Sequence, residues 1–219
     1  MTIEAVIWDF GGVFTTSPFE AFNRYEARRG LPADFIRAVN ATHPDANAWA
    51  RFERAQIDAA AFDAAFLAES SALGHAVRGA DVLPLLSGEV RPAMVKALRI
   101  CKRRFKVGCI TNNVAGGQGP VAGGQGVSPV GEIMGLFDVV IESSKVGLRK
   151  PDPRIYRMMC EALDVAAKAC VYIDDLGVNC KPAAALGMTA IKFVGESQAL
   201  ADLERATDLV FPRFAEALA

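Results

Sequence analysis

The sequence has almost no net charge. Its 24 lysines and arginines stand against 25 aspartates and glutamates, a formal balance of -1 over 219 residues, and neither sign forms a long run. The electrostatic reason to expect a nucleic acid or an anionic membrane as partner is therefore absent, and a small neutral or anionic ligand is left. A C-x-x-C pair is also missing. The five cysteines, Cys101, Cys109, Cys160, Cys170 and Cys180, are odd in number and sit mostly in apolar segments, which speaks against disulfides and zinc and predicts buried reduced thiols in a cytoplasmic protein. The opening MTIEAVIWDF contains neither a basic leader nor a sustained apolar region, and no stretch approaches the roughly 18 apolar residues of a membrane span. The expectation is a chain that is neither exported nor membrane-anchored.

Apolar residues, by contrast, are plentiful at 52%, enough for a continuous buried core. They recur in short runs of strand length: AVIWD ending at Asp9, VGCIT at Thr111, VVIES at Ser143, CVYID at Asp174 and TAIKF at Phe193. Between the runs lie helical patterns such as RPAMVKALRICKRR and PRIYRMMCEALDV, with proline near the start and apolar residues three and four apart. This alternation predicts an α/β fold with a Rossmann-like three-layer core, a parallel sheet covered by helices. Ligands in such sheets bind beyond the carboxyl ends of the strands, so Asp9, Thr111, Ser143 and Asp174 should meet at one edge. Residues 17–88 carry helical periodicity without a convincing strand and predict a helical cap inserted between core segments 1–16 and 89–219, well placed as a lid over that edge. Residues 114–127, VAGGQGPVAGGQGV, repeat a seven-residue unit. Gly117, Gly119 and Ala122 satisfy G-x-G-x-x-A, but Pro120 and further glycines follow where a helix should open, and G-x-x-x-x-G-K is absent. The segment reads as a mobile, locally duplicated loop near the site.

Four places carry chemistry. Asp9 ends a buried run and is followed by Gly11 and Gly12, so its carboxylate can point into a cleft as a nucleophile; taken alone, it reads first as a cap for the next turn. Thr111 and Asn112 offer a hydroxyl and backbone N–H groups that hold phosphate oxygens as neutral donors, or simply make a turn. Lys150, with Arg149 and Lys145 as competitors, can neutralise an anion beside an attacking carboxylate, and Pro151 fixes the local backbone. Asp174 and Asp175 are adjacent carboxylates at the end of a buried strand; unless they are solvated loop acids, their repulsion calls for a cation, and hard oxygen ligands suit Mg²⁺.

Together WDFGGVF, CITNN, GLRKPDPRIY and VYIDDLGVNCKPAAALGM resemble, in order and spacing, the four motifs of the haloacid dehalogenase-like hydrolase superfamily, over Asp9 to Met188. KPDP and the DDLGVN run are most similar to the branch containing the phosphatase domain of soluble epoxide hydrolase. The resemblance implies a phosphatase of a small phosphorylated metabolite that works through an aspartyl-phosphate on Asp9. It assigns Lys150 and Thr111 to catalysis, and Thr111, Asn112, Gly11 and Gly12 to substrate binding. Mg²⁺ would be held by Asp9, the carbonyl of Gly11 and Asp175, with Asp174 as a further ligand or orienter and Asn179 supporting the pair.

Gly11 departs from the family pattern. A second aspartate usually stands there to protonate the leaving oxygen and then activate water, a contribution of about 10²–10⁴-fold. With glycine the expectation is slow turnover of ordinary alkyl phosphates, and better turnover where the leaving group is already good, as in an anomeric sugar phosphate. Two other readings stand beside this one: a non-enzymatic binding or regulatory descendant, and a 2-haloacid dehalogenase, which also lacks the second acid but needs no metal. In the predicted lid, His43, His75, Arg51 and Arg54 are candidate substrate contacts, although residues such as Arg51, Glu53 and Arg54 more often form a solvated helix face; Trp49 and Phe52 are expected in the lid core.

Overall fold

The computed structural model describes residues 2–114 and 129–212. Five strands, β1 (Ala5–Trp8), β2 (Lys106–Thr111), β3 (Val139–Glu142), β4 (Cys170–Asp174) and β5 (Thr189–Lys192), form one sheet of order β3-β2-β1-β4-β5 with every pairing parallel. All five predicted runs became strands, with ends displaced by at most one residue. The described helices are α1 (Pro18–Arg29), α2 (Phe35–Ala41), α3 (Ala48–Glu53), α4 (Ala59–Ala72), α5 (Gly79–Val82), α6 (Pro92–Lys102), α7 (Pro129–Met134), α8 (Ser143–Val146), α9 (Pro153–Leu163), α10 (Gly177–Ala185) and α11 (Glu196–Thr207).

The side-chain alternation of β1 explains the three layers. Val6 and Trp8 enter a core with Met94, Ala97 and Leu98 of α6 and Ala199, Leu200 and Leu203 of α11. Ala5 and Ile7 point the other way, into a core with Ile155, Tyr156 and Met159 of α9 and Ala183 of α10. A strand apolar on both faces is stable only when helices cover both, which is why these runs read as continuous hydrophobic stretches. Helix α9 begins where the sequence marks it: Pro153 occupies the first turn and the Asp152 carboxylate accepts the Arg154 N–H at 2.9 Å.

Residues 18–86 contain helices α1 to α5 and a short 3-10 turn, with no sheet strand among them. They have a core of their own, in which Phe52 stacks on Phe62 (4.7 Å between centroids) and Trp49 meets Phe62 edge-on. Trp49 and Phe52 are thus packing residues. Glu26 is buried there because its carboxylate accepts the backbone N–H groups of Asp34 and Ile36 at 2.9 and 2.8 Å, tying α1 to the start of α2. Val114, just beyond β2, joins this cluster. The chain leaves and re-enters the sheet region side by side: Thr15 and Val90 form an antiparallel bridge, flanked by Thr16 N–H to Glu89 O (2.8 Å) and Arg91 N–H to Phe14 O (2.7 Å). The duplicated Gly/Gln segment lies outside the described residues apart from Val114.

Candidate active site

Parallel register brings Asp9 and Asp174 together. Trp8 of β1 pairs with Ile173 of β4, and the Asp9 N–H donates to Ile173 O at 2.8 Å, so the two aspartates stand next to each other at the carboxyl edge. The Lys150 Nζ lies between them, 2.6 Å from Asp9 Oδ1 and 2.8 Å from Asp174 Oδ2. This lysine is only 1% exposed, so both ion pairs form away from water. Of the three cations the sequence offered, Lys150 alone meets Asp9. Lys145 pairs with Glu142 on the surface, and Arg149 turns toward α3, where it binds Glu53 Oε2 at 2.6 Å and the Pro44 carbonyl at 3.0 Å.

Asp174 is held by many donors. Its Oδ2 also accepts the Tyr172 hydroxyl at 2.6 Å, its Oδ1 accepts the Leu176 N–H at 2.8 Å, and the Asn179 amide lies 3.1 Å from both oxygens. Tyr156 donates to the Asn179 carbonyl at 2.8 Å. Such a carboxylate can orient Lys150 and has little lone-pair capacity left for a metal. No motif in the sequence marks the two tyrosines as part of the site. For Tyr172 the signal was available, because position i-2 in CVYID puts it on the same strand face as Asp174.

Asp175 sits against Gly12, whose φ of +79° is left-handed. A Cβ built on Gly12 would lie 2.2 Å from Asp175 Oδ2, so the close approach of turn and carboxylate requires glycine there. One oxygen from each of Asp9, Asp174 and Asp175 lies within 4.8 Å of the others. Three carboxyl groups share one ammonium in a largely buried space, so their full ionisation calls for a further cation, and the donors are all hard oxygens. The residues fit a divalent cation of the magnesium type, with Asp9 and Asp175 the freer ligands.

The electrostatics follow from burial. Burial drives the Asp9 carboxyl well above its ordinary range, the Lys150 ammonium opposes this, and Asp174 and Asp175 add to the rise. Burial also works against the Lys150 charge, but Asp174 and Asp9 outweigh it and hold the ammonium above its usual value. Asp175 is pushed up to about 6, first by burial and then by Asp174.

The remaining predicted residues are distributed as follows. Thr111 is buried at the end of β2, one residue beyond the level of Asp9. The Asn112 side chain is engaged by the Lys150 backbone, which the sequence did not foreshadow. Gly11 is half-buried in the turn after β1. Ser143 uses its hydroxyl on Asn113, accepting from its N–H (3.0 Å) and donating to its carbonyl (3.1 Å). His43 is exposed, His75 packs edge-on against Phe35, and Arg54 binds the Asp45 carbonyl at 2.8 Å. Glu53 is no solvated residue, since it bridges to Arg149.

With this geometry in hand, the likenesses to known proteins are clear. The family model described as haloacid dehalogenase-like hydrolase matches residues 3–187. Over 206 residues, 91% of the chain, it is 30% identical to acyl-CoA dehydrogenase family member 10 of Mus musculus, of which it spans 19%. It is 27% identical to bifunctional epoxide hydrolase 2 of Mus musculus over 97% of its own length and 40% of the relative's. The chain therefore spans about a fifth and two fifths of these relatives. A HAD family enzyme from Bacteroides thetaiotaomicron, solved in complex with magnesium and inorganic phosphate, shares the fold at a TM-score of 0.58 and 17% identity, covering 87% of this chain and 93% of that one.

Proposed function

Because the chain belongs to the haloacid dehalogenase-like hydrolase family, we propose that it is a magnesium-dependent phosphatase of a small phosphorylated metabolite. The observation that carries this reading is the buried Asp9–Lys150–Asp174 line with Asp175 folded against Gly12. A nucleophilic carboxylate and a phosphate dianion repel each other, and this arrangement supplies one fixed positive charge and a ligand set for a second.

Asp9 attacks phosphorus through the oxygen not held by Lys150. The bond to the leaving oxygen breaks, and its electron pair stays on that oxygen. An acyl-phosphate remains on Asp9, and water attacks its phosphorus to regenerate the carboxylate and release inorganic phosphate. Lys150 orients Asp9 and neutralises a phosphate oxygen; Thr111 contributes a neutral donor at the same edge. Magnesium, held by Asp9, the Gly11 carbonyl and Asp175, would supply charge neutralisation for the phosphate. Gly11 gives no proton to the leaving group, so solvent or a residue of the cap must, and substrates with good leaving groups are favoured. Residues 18–86 act as a cap that excludes water, anchored to the sheet domain through Glu53 and Arg149.

The reading includes a cytoplasmic setting, in keeping with five free, buried cysteines, and no nucleic-acid or membrane partner. Among the described residues no helix is long and apolar enough to cross a membrane. The test is phosphate release from a broad panel of phosphate esters, with and without Mg²⁺, alongside Asp9→Asn. Activity dependent on both is expected; activity indifferent to both refutes the reading. Gly11 favours one alternative, a binding protein, for which Mg²⁺ and phosphate would bind without turnover. Halide release from 2-haloacids would instead identify a dehalogenase.

A further inference from the structure

Lys150 works at the centre of the site from an irregular stretch between α8 and α9, where neither a helix nor a strand ladder fixes its backbone. Its ammonium nevertheless has to reach two carboxylates at 2.6 and 2.8 Å. A local turn spans this stretch, with the Asp152 N–H donating to Arg149 O at 2.9 Å, and one side chain from 38 positions away ties that turn to the sheet. The Lys150 N–H donates to Asn112 Oδ1 at 2.8 Å, and the Asn112 Nδ2 donates to the Lys150 carbonyl at 3.0 Å. Both ends of one amide therefore bind both polar groups of one residue's backbone. Asn112 directly follows Thr111, the last residue of β2; that strand lies between β1 and β3, and Thr111 itself is buried and paired with Glu142 of β3. The rigid sheet thus transmits its register to the lysine.

We propose that Asn112 is a positioning residue for Lys150 and that its side chain is not a donor to the substrate phosphate. The kinetic part of the claim rests on the phosphatase reading; the structural part does not. Only an amide of this length meets the requirement. Aspartate keeps the acceptor for the Lys150 N–H but sets a lone pair against the carbonyl, and glutamine moves the amide by a methylene. A lysine displaced by about 1 Å loses its hold on Asp9 or on Asp174, and misplacement of that size costs about 10²-fold in rate.

The experiment combines a double-mutant cycle with crystallography. With p-nitrophenyl phosphate and Mg²⁺, Asn112→Ala is expected to lower kcat/KM by about 10²-fold in the wild-type background. In a Lys150→Met background the same change should matter by less than about threefold, since the group it positions is gone. Equal losses in both backgrounds would assign Asn112 an independent contact with phosphate and overturn the proposal. Crystal structures of Asn112→Ala, and of the isosteric Asn112→Asp should the alanine variant not fold, should show the Lys150 ammonium withdrawn from Asp9 or Asp174. An ammonium still in place between both carboxylates overturns the proposal without reference to activity. Should the wild type release no phosphate from any ester, the phosphatase reading fails while the crystallographic arm still decides whether Asn112 positions the lysine.

Discussion

Replacing Gly12 by alanine tests the metal site through two separable effects. The backbone effect comes from φ of +79°, where a side chain costs about 1–2 kcal/mol. The steric effect comes from the Asp175 carboxylate, whose Oδ2 and Cγ would lie 2.2 and 2.5 Å from the new Cβ, far inside the van der Waals contact of roughly 3.5 Å. All the crowded atoms belong to the Asp175 side chain, so relief comes from rotation of that carboxylate away from Gly12, and with it out of the position it shares with Asp9 and Asp174. Gly30→Ala is the control: its φ is +66°, and nothing lies within 4 Å of its added Cβ. Both variants should lose about 2–8 °C in Tm, as 1–2 kcal/mol gives for a chain of this size. Only Gly12→Ala should weaken Mg²⁺ binding, by more than about tenfold, which corresponds to some 1.4 kcal/mol. Calorimetric Mg²⁺ titration and thermal denaturation with and without the ion read the two effects separately. Wild-type Mg²⁺ affinity in Gly12→Ala would refute the placement of Asp175 in the metal site.

Three other outcomes are expected. Gly11→Asp should restore an acid beside the nucleophile and raise kcat on alkyl phosphates by about 10²-fold, with a much smaller gain on p-nitrophenyl phosphate; comparison of the two esters measures it. Mg²⁺ affinity should fall as pH drops through about 6, because Asp175 takes up a proton there. Without metal the sign for folding is opposite: the raised carboxyl favours the native state below its ordinary value of 3.8, and that contribution is lost as pH rises through about 6, so denaturation curves with and without Mg²⁺ should diverge above that point. Glu53→Gln should loosen the cap, seen as faster amide exchange in α3 and a lower kcat/KM, and the exchanged pair Glu53→Arg with Arg149→Glu should recover part of the loss; equal exchange in all three proteins would remove the anchoring role.

The comparison of sequence with structure divides along physical lines. Strands buried on both faces must be apolar throughout, so AVIW, VGCIT and CVYID were legible as runs, and a parallel sheet made it certain that their ends would share an edge. Trp49 and Phe52 were legible as packing residues because helical spacing reports a buried face. The cation that serves Asp9 was legible only through the resemblance of GLRKPDPRIY to the family motif, which points to Lys150. Lys145, Arg149 and Lys150 lie within six positions, in a segment without a repeating geometry, and no local pattern states that one points to solvent, one to α3 and one inward.

What the sequence determined by itself was the layering of the fold and the set of residues at the sheet edge, since both follow from period and polarity along the chain. Only the tertiary structure decided how those residues divide the work. It saturates Asp174 with Tyr172, Asn179 and Lys150, sets Asp175 against a glycine in left-handed conformation, and turns Asn112 toward a peptide 38 positions away. The reason is that such contacts depend on side-chain direction between segments distant in the chain, and direction exists only once the segments are packed.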